Sequence, residues 1–468
     1  MCDVPCDVPC RPLATPARAN QKTKTKTVTM PSGTGPEPNP SKKDIKKRDV
    51  TAMSDGAELN PKKDIKKRCV SVVSDGSELN PDKKDIKKRG ATAVSDGSEL
   101  NPDKKIRKRS GPTSSTWDLT LGTDFSGMDT PVQSLTNAGF KVNQRFRCEK
   151  NPSCRKLLEY MRPNDGSFFD FKDIRKRAPA DAPYVDLYVA GVPCAPWSTD
   201  GPQLGLADPN GRLWVNSLEY VQERKPKVAV FENVKGITQR KFSNVFDSII
   251  TTLEANYKVW YKVLNTAEHG IPQHRERLYI VAVRRDMVLK NKEFEWPEPL
   301  QHCMSLKKLL SIDNRPIQFG IPPANMEGGR AKPMAIQACM DVVKKNKDFN
   351  INENILVVDV GCTEKRASYM VDMFPTVTAS RASSGGWWSV NHGGKVALKH
   401  MFLLQGTFMS CYPFRGAGVS ETRMAHMVGN AMSGNVLERL LPRALRMAGI
   451  FPSTQVCDPW PAFAEKYS

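Results

Sequence analysis

The chain has 468 residues, 39% hydrophobic and 26% charged, with a formal charge of +20. That length accommodates two or three domains. The basic excess points to a polyanionic partner, most simply nucleic acid, although basic tails also bind acidic proteins or membranes. Met1–Cys10 (MCDVPCDVPC) has neither an apolar core nor a basic start, which argues against a signal peptide. No run approaches the roughly 18 apolar residues of a membrane span. The 12 cysteines follow no disulfide-framework spacing and no CxxC pairs stand at zinc-finger spacing, so an intracellular, reducing compartment, free thiols and no metal site are expected.

Residues 1–115 contain almost no aromatic side chains and no amphipathic period. They carry an internal repeat: SDGAELNPKKDIKKR at Ser54–Arg68, SDGSELNPDKKDIKKR at Ser74–Arg89 and SDGSELNPDKKIRKR at Ser95–Arg109, with a degenerate copy at Ser41–Arg48. The units lack an apolar face to stack, so they read as a disordered tail rather than a solenoid. The tail holds 25 Lys and Arg against 15 Asp and Glu, half of the chain's excess charge. The KKDIKKR clusters suit nuclear import or phosphate-backbone contact, and a nuclear location is expected on that basis.

From Trp117 the pattern changes to strands alternating with helices. Trp117–Phe125 reads as a strand turning through Ser126-Gly127-Met128-Asp129-Thr130-Pro131 into a helix that ends near Gly139. A glycine there lets backbone approach a nucleotide-like ligand at the helix start. A second strand, near Gln144–Cys148, ends in Glu149, placed to accept hydrogen bonds from ribose hydroxyls or simply solvated. A third turn carries Asp173-Ile174, placed for an adenine amino group and ring face. Together these outline an adenosine-binding crevice.

Tyr184–Ala190 is an apolar strand interrupted only by Asp186, and it runs into Gly191-Val192-Pro193-Cys194-Ala195-Pro196-Trp197. The prolines stiffen the turn, so the Cys194 thiol stands beyond the carboxyl end of a buried strand. Asn210-Gly211-Arg212 then opens a helix at Leu213–Glu223. Val228–Phe231 is a buried strand with Glu232-Asn233-Val234 at its end, where Glu232 is either a helix cap or a general acid. A helix at Asn244–Ala255 and a strand at Lys258–Val263 follow. His269–Arg277 leads into the strand Leu278–Val283, and Arg275 and Arg277 share one face if extended, suited to a phosphate and a base carbonyl.

In this order the blocks FSG, a strand-end acid, PC-x-P-x-S, ENV and Q-x-R-x-R resemble the catalytic core of DNA (cytosine-5) methyltransferases. The resemblance resumes at Pro375–Thr378, Leu404-Gln405-Gly406 and Gly429-Asn430-Ala431-Met432, and covers roughly half of the sequence. It implies S-adenosylmethionine as methyl donor and a cytosine flipped out of double-stranded DNA as acceptor. It also implies Cys194 as a nucleophile adding to carbon 6 and Glu232 as the acid at the ring nitrogen, with Arg275 or Arg277 as the cation that ionises the thiol. The cofactor contacts carried over are Phe125, Ser126, Gly127, Glu149, Asp173, Ile174, Pro193, Leu213, Asn430 and Met432. The implied fold is α/β, a Rossmann-like, doubly wound, mostly parallel sheet: a catalytic core over 116–290, a small target-recognition domain over 291–372 and a completing segment over 373–468.

Departures from the family pattern are Ala195 for the usual Gln after the nucleophile, Val192 for Pro, Trp197 for Phe, and Asp129-Thr130 for a glycine pair. Ala195 and the altered first block motivate a second reading, an inactive DNA-binding scaffold. A tRNA methyltransferase is a third, weakened by the absence of the Cys-Phe-Thr signature of that branch. Arg330 and Arg366 are candidates for base readout. Arg381–Trp388 (RASSGGWW) resembles a flexible loop whose Trp387-Trp388 pair either stacks on bases or packs in the core. Gly434–Met447 reads as a helix interrupted at Pro442 that packs back on the sheet. Target context and oligomeric state are not encoded legibly.

Overall fold

The computed structural model describes residues 117–197, 210–311, 352–361, 368–451 and 458–468, with scattered positions between 203 and 208 and between 336 and 350. The repeat tail, Arg330 and Arg366 lie outside the described residues. The main sheet contains β1 (Trp117–Asp124), β2 (Phe140–Cys148), β3 (Phe169–Phe171), β4 (Leu187–Gly191), β5 (Val228–Val234), β6 (Tyr257–Asn265) and β7 (Glu276–Arg284), in the order β3-β2-β1-β4-β5-β7-β6. β1 to β5 are mutually parallel, whereas β7 is antiparallel to both β5 and β6. The doubly wound α/β arrangement expected from the sequence is therefore present. Strand order reverses between β1 and β4, and ligands of open α/β sheets bind beyond the carboxyl ends at such a point.

The two-residue period of each strand divides the core into two layers. In β4, Leu187 and Val189 face one side while Tyr188 and Ala190 face the other. The Tyr188 side also holds Phe146, Phe231 and Ile280 and is covered by α3 (Leu213–Arg224) and α4 (Ser243–Glu254). The Leu187 side holds Leu121, Val230 and Val281 beneath α1 (Thr130–Asn137) and the long C-terminal helix Gly434–Met447. Helix α2 (Pro152–Met161) follows β2, and its start is capped by Asn151, which accepts from the Ser153 and Cys154 amides.

Past β7 come α5 (Leu306–Leu310), β8 (Leu356–Asp359), β9 (Ser368–Val371), α6 (Ala379–Ser384), β10 (Trp387–Ser389) and β11 (Gly394–Lys395). The four strands form a second sheet, ordered β11-β10-β8-β9, which draws on both sides of residue 372. The chain closes with α7 (Leu398–Leu404), α8 (Glu421–Asn430), α9 (Gly434–Met447) and α10 (Trp460–Tyr467).

Two expectations change here. Arg381–Trp388 is not a loop: it spans the end of α6 and the start of β10. Trp387 is buried against Phe374 with ring centroids 5.3 Å apart, and Trp388 is buried beside Leu356 and Val358, so the core reading of the pair is the one observed. Helix α9 runs through Pro442 without a break. An interior proline costs about 3 kcal/mol. Val436, Leu437, Leu440, Leu441, Ala444 and Leu445 are all fully buried against the sheet layer and offset that cost, at about 1.5–3 kcal/mol for each large aliphatic side chain. Cys148, Cys154, Cys194 and Cys303 are free thiols, whereas Cys411 is disulfide-bonded, which corrects the expectation of free thiols throughout. Among the described residues no helix is long and apolar enough to cross a membrane.

A candidate active site at the carboxyl ends of the central strands

A cavity of about 620 Å³ opens where β1 and β4 part, and every cofactor and catalytic candidate named from the sequence lines it. The first wall is the turn after β1. Phe125, Gly127 and Asp129 all have positive φ, at 54°, 57° and 60°. Asp129 stands where the resemblance leads one to expect glycine, and aspartate is among the few side chains that tolerate this left-handed region. Its buried carboxylate accepts from Gln144 Nε2 at 2.6 Å and Thr123 Oγ1 at 3.1 Å. The turn is thus tied by side-chain hydrogen bonds. Ser126 Oγ lies 2.9 Å from Thr123 Oγ1 and accepts from the Cys148 amide, so Ser126 stitches β1 to β2.

Glu149 closes the second wall. Its two oxygens accept from the Gly127 amide at 2.7 Å and the Asn151 amide at 2.6 Å. A carboxylate has about four acceptor sites, so capacity for ligand hydroxyls remains. Asp173 caps its own short turn and pairs with Arg175 at 2.6 Å, and the Arg175 guanidinium holds its carboxyl down to about 2. Ile174, Leu213 and Pro193 supply apolar surface, and Asn430 and Met432 enter from the end of α8. Met432 reaches across to β4: a Cβ placed on Gly191 would lie 2.8 Å from its terminal methyl. Lys150, Asn210 and His426 also line the cavity and were not singled out from the sequence, since each is a lone polar residue outside a recognisable block.

The other end of the cavity holds Cys194, Glu232 and Arg277. Gly191, three residues before Cys194, is the register partner of Glu232. Val234, two residues on, pairs with Arg277. Three adjacent strand ends therefore present a thiol, a carboxyl and a guanidinium to one space. Arg277 Nε sits 3.2 Å from Glu232 Oε1. The thiol turn is held by Asn233, whose Nδ2 donates to the Val192 carbonyl at 3.0 Å, and by the Trp197 amide, which donates to the Cys194 carbonyl at 2.9 Å. Trp197 is fully buried, edge-on to Phe242, and its carbonyl passes so close to Gly236 that a Cβ there would lie 2.1 Å away. Gly236→Ala must therefore displace the thiol turn. If the thiol turn carries methyl transfer, a steady-state assay should show kcat lowered about 10²-fold with cofactor binding retained.

Arg275 is 2% exposed and lines the cavity beside Arg277, but its guanidinium is tied to backbone rather than to Glu232. Its terminal nitrogens donate to the carbonyls of Val377 at 2.8 Å, Gly429 at 3.4 Å and Ala431 at 2.7 Å. Gln273 and Gln405 work alongside it: Gln273 Nε2 donates to the Leu404 carbonyl, its Oε1 accepts from the Val377 amide, and Gln405 Nε2 donates to the Val428 carbonyl. The Q-x-R-x-R, P-T-V-T, LQG and GNA blocks are thus one hydrogen-bonded knot that carries Asn430 and Met432 to the cavity. Arg275→Met would strand buried carbonyls at about 1–3 kcal/mol each. A loss of about 2–5 kcal/mol in denaturant unfolding is expected, against less than about 1 kcal/mol for Arg277→Met.

The charge state of the thiol also differs from expectation. Burial, followed by the Glu232 carboxylate, raises the Cys194 thiol above its ordinary value, and Arg277 and Arg275 oppose this without overcoming it. Burial likewise raises Glu232, with the two arginines opposing. Burial thus favours the protonated form of both groups, and the Glu232 carboxylate adds to this at the thiol, so the arginines do not supply a preformed thiolate.

Residues 125–444 match the family model for C-5 cytosine-specific DNA methylases. The chain belongs to that family. It is 32% identical over 191 residues to the type II methyltransferase M.MthTI of Methanothermobacter thermautotrophicus, covering 41% of this chain and 56% of that one. It is 39% identical over 145 residues to M.HaeII of Haemophilus aegyptius, covering 31% and 44%. The chain thus spans about half the length of these curated relatives. The Entamoeba histolytica methyltransferase EhMeth aligns over 70% of this chain and 98% of its own at 16% identity and a TM-score of 0.45. For a C-5 methylase the donor set fits S-adenosylmethionine: a carboxylate with spare acceptor sites, a glycine-bearing turn with left-handed backbone, and apolar Ile174 and Leu213 bound one cavity.

Proposed function

We propose that the protein transfers a methyl group from S-adenosylmethionine to carbon 5 of cytosine in double-stranded DNA, through a covalent bond between Cys194 and carbon 6. The observation that carries this reading is the convergence of Cys194, Glu232 and Arg277 on the ends of β4, β5 and β7, in the cavity that the cofactor candidates also line. A base inside a duplex cannot reach that cavity, so the target is extruded. Cys194 reacts as the thiolate, with the one proton of the pair resting on Glu232; its Sγ bonds to carbon 6, and the ring's electron density shifts toward carbon 5. Glu232 gives its proton to the ring nitrogen and so neutralises the charge that the attack creates. Arg277 then faces the Glu232 carboxylate and stabilises it. The cofactor supplies the electrophilic methyl group. A base removes the carbon-5 proton, the bond to Cys194 breaks, and the ring nitrogen returns its proton to the Glu232 carboxylate, which restores the neutral aromatic ring, the thiolate and the acid. Phe125 to Gly127, Glu149, Asp173, Ile174, Pro193, Leu213, Asn430 and Met432 hold the donor.

Incubation with labelled S-adenosylmethionine, duplex DNA and a tRNA pool separates the readings. Label in 5-methylcytosine of DNA supports the proposal. Label in tRNA alone moves the substrate class. No label from folded, cofactor-binding protein favours the scaffold reading and directs attention to Ala195, exposed at the cavity rim. Nuclear location is proposed on the KKDIKKR clusters alone, and a tagged chain with those lysines replaced by glutamine should lose it.

A further inference from the structure

At the floor of the cofactor cavity, which Asp124 lines and Arg177 and Tyr188 back, lies a buried charge cluster that the chemistry above does not use. Arg177 donates through both terminal nitrogens to Asp124, at 2.6 Å to Oδ1 and 2.9 Å to Oδ2, and the two side chains are 2% and 0% exposed. Tyr188 Oη donates to Asp124 Oδ2 at 2.6 Å. The guanidinium sits 5.2 Å from the Phe146 ring centroid and 5.3 Å from those of Phe171 and Tyr220. Space for Phe146 exists only because residue 122 is glycine, whose Cβ would otherwise fall 2.1 Å from the ring.

The two ends of this pair belong to different walls of the cavity. Asp124 ends β1 and immediately precedes Phe125, whose φ is 54°. Arg177 caps the turn that begins at Asp173-Ile174, its amide donating to the Ile174 carbonyl at 3.3 Å. Taking an Asp and an Arg out of water is costly, and well-packed apolar side chains of similar volume commonly serve stability as well or better. What the apolar alternative lacks is fixed direction. A two-point, planar contact sets both the distance and the angle between the turns it joins.

We propose that Asp124 and Arg177 are positioning residues that set the width of the cofactor slot by clamping the Asp173-Ile174 turn to the Phe125–Gly127 turn. The clamp thereby governs cofactor affinity and leaves the methyl-transfer step alone. This rests on the S-adenosylmethionine reading of the cavity.

The test compares wild type with Arg177→Lys, Arg177→Met and the apolar double variant Asp124→Leu/Arg177→Met. Calorimetry with S-adenosylhomocysteine, thermal unfolding, and methyl transfer at saturating cofactor are measured for each. The expected result is a double variant that unfolds at or above the wild-type temperature, binds S-adenosylhomocysteine about 10–100-fold more weakly, and retains kcat within about twofold, with Arg177→Lys intermediate in affinity. Unchanged affinity in the folded double variant would overturn the proposal. So would a kcat loss matching the affinity loss. A double variant that fails to fold also contradicts it, because the pair would then be a stability element. Wild type that binds no S-adenosylhomocysteine would instead remove the cofactor reading itself, an outcome visible before any variant is compared.

Discussion

Cys194→Ser is expected to lower single-turnover methyl transfer by about 10³-fold or more while leaving cofactor affinity within a few-fold of wild type. Carbon 5 of cytosine is a poor nucleophile until a group adds at carbon 6, so the reaction has no comparable route without the sulfur. Serine preserves the shape of the turn, whose geometry comes from Asn233, Trp197 and the flanking prolines rather than from the thiol. Its hydroxyl is far less acidic than a thiol, and no base stands in the site as described that is strong enough to ionise it. The measurement is rapid-quench transfer of labelled methyl groups with enzyme in excess. Residual activity near wild type would mean that the sulfur is not the nucleophile.

Glu232→Gln is expected to lower the rate by about 10²–10⁴-fold at neutral pH and to change the shape of the pH profile. Attack needs a thiolate at Cys194, and the ring nitrogen needs a proton from Glu232. The reacting form therefore carries one proton between two groups that burial has raised above their ordinary values. Between the two titrations the fraction in that form does not vary with pH, so the wild-type rate should be flat across neutrality. It falls on the acid side when both groups hold protons and on the alkaline side when both have lost them. In Glu232→Gln the donor is gone and only the thiol titrates. The rate should then rise about tenfold per pH unit through neutrality and level off above the thiol's titration. That titration moves down relative to wild type, because the carboxylate that opposed ionisation has been removed. A variant with the wild-type flat profile would show that Glu232 does not share the reacting proton.

The sheet was legible because its strands are short apolar runs with β-branched centres that end in chemistry-bearing turns. Tyr184–Ala190, Val228–Phe231 and Leu278–Val283 fall on β4, β5 and β7, displaced by a few residues at their ends. β2 begins at Phe140, earlier than expected, because Lys141 and Asn143 interrupt the apolar run at exposed positions. Pro442 misled for the opposite reason: local propensity marks a break, and the burial that overrides it is tertiary. The site's membership was legible residue by residue, since each block ends a strand on the same side of the sheet. Roles were less so. Arg275 and Arg277 look equivalent in sequence, and only the carbonyls of Val377, Gly429 and Ala431, more than 100 residues away, separate a structural arginine from one facing Glu232. The Asp124–Arg177 pair, 53 residues apart, left no sequence signal.

The covalent bond at Cys194 is the central claim, and it can be observed directly. Duplex DNA carrying 5-fluorocytosine is incubated with the full chain and S-adenosylmethionine, and the denatured product is digested and mapped by mass spectrometry. Fluorine at carbon 5 prevents the final proton loss, so an enzyme working as proposed remains bonded to its substrate. The expected result is a denaturant-resistant adduct, dependent on cofactor, whose nucleotide mass is carried on the peptide containing Cys194 and is absent from Cys194→Ser. Methyl transfer to ordinary DNA without any such adduct, or an adduct on a different residue, would contradict the account.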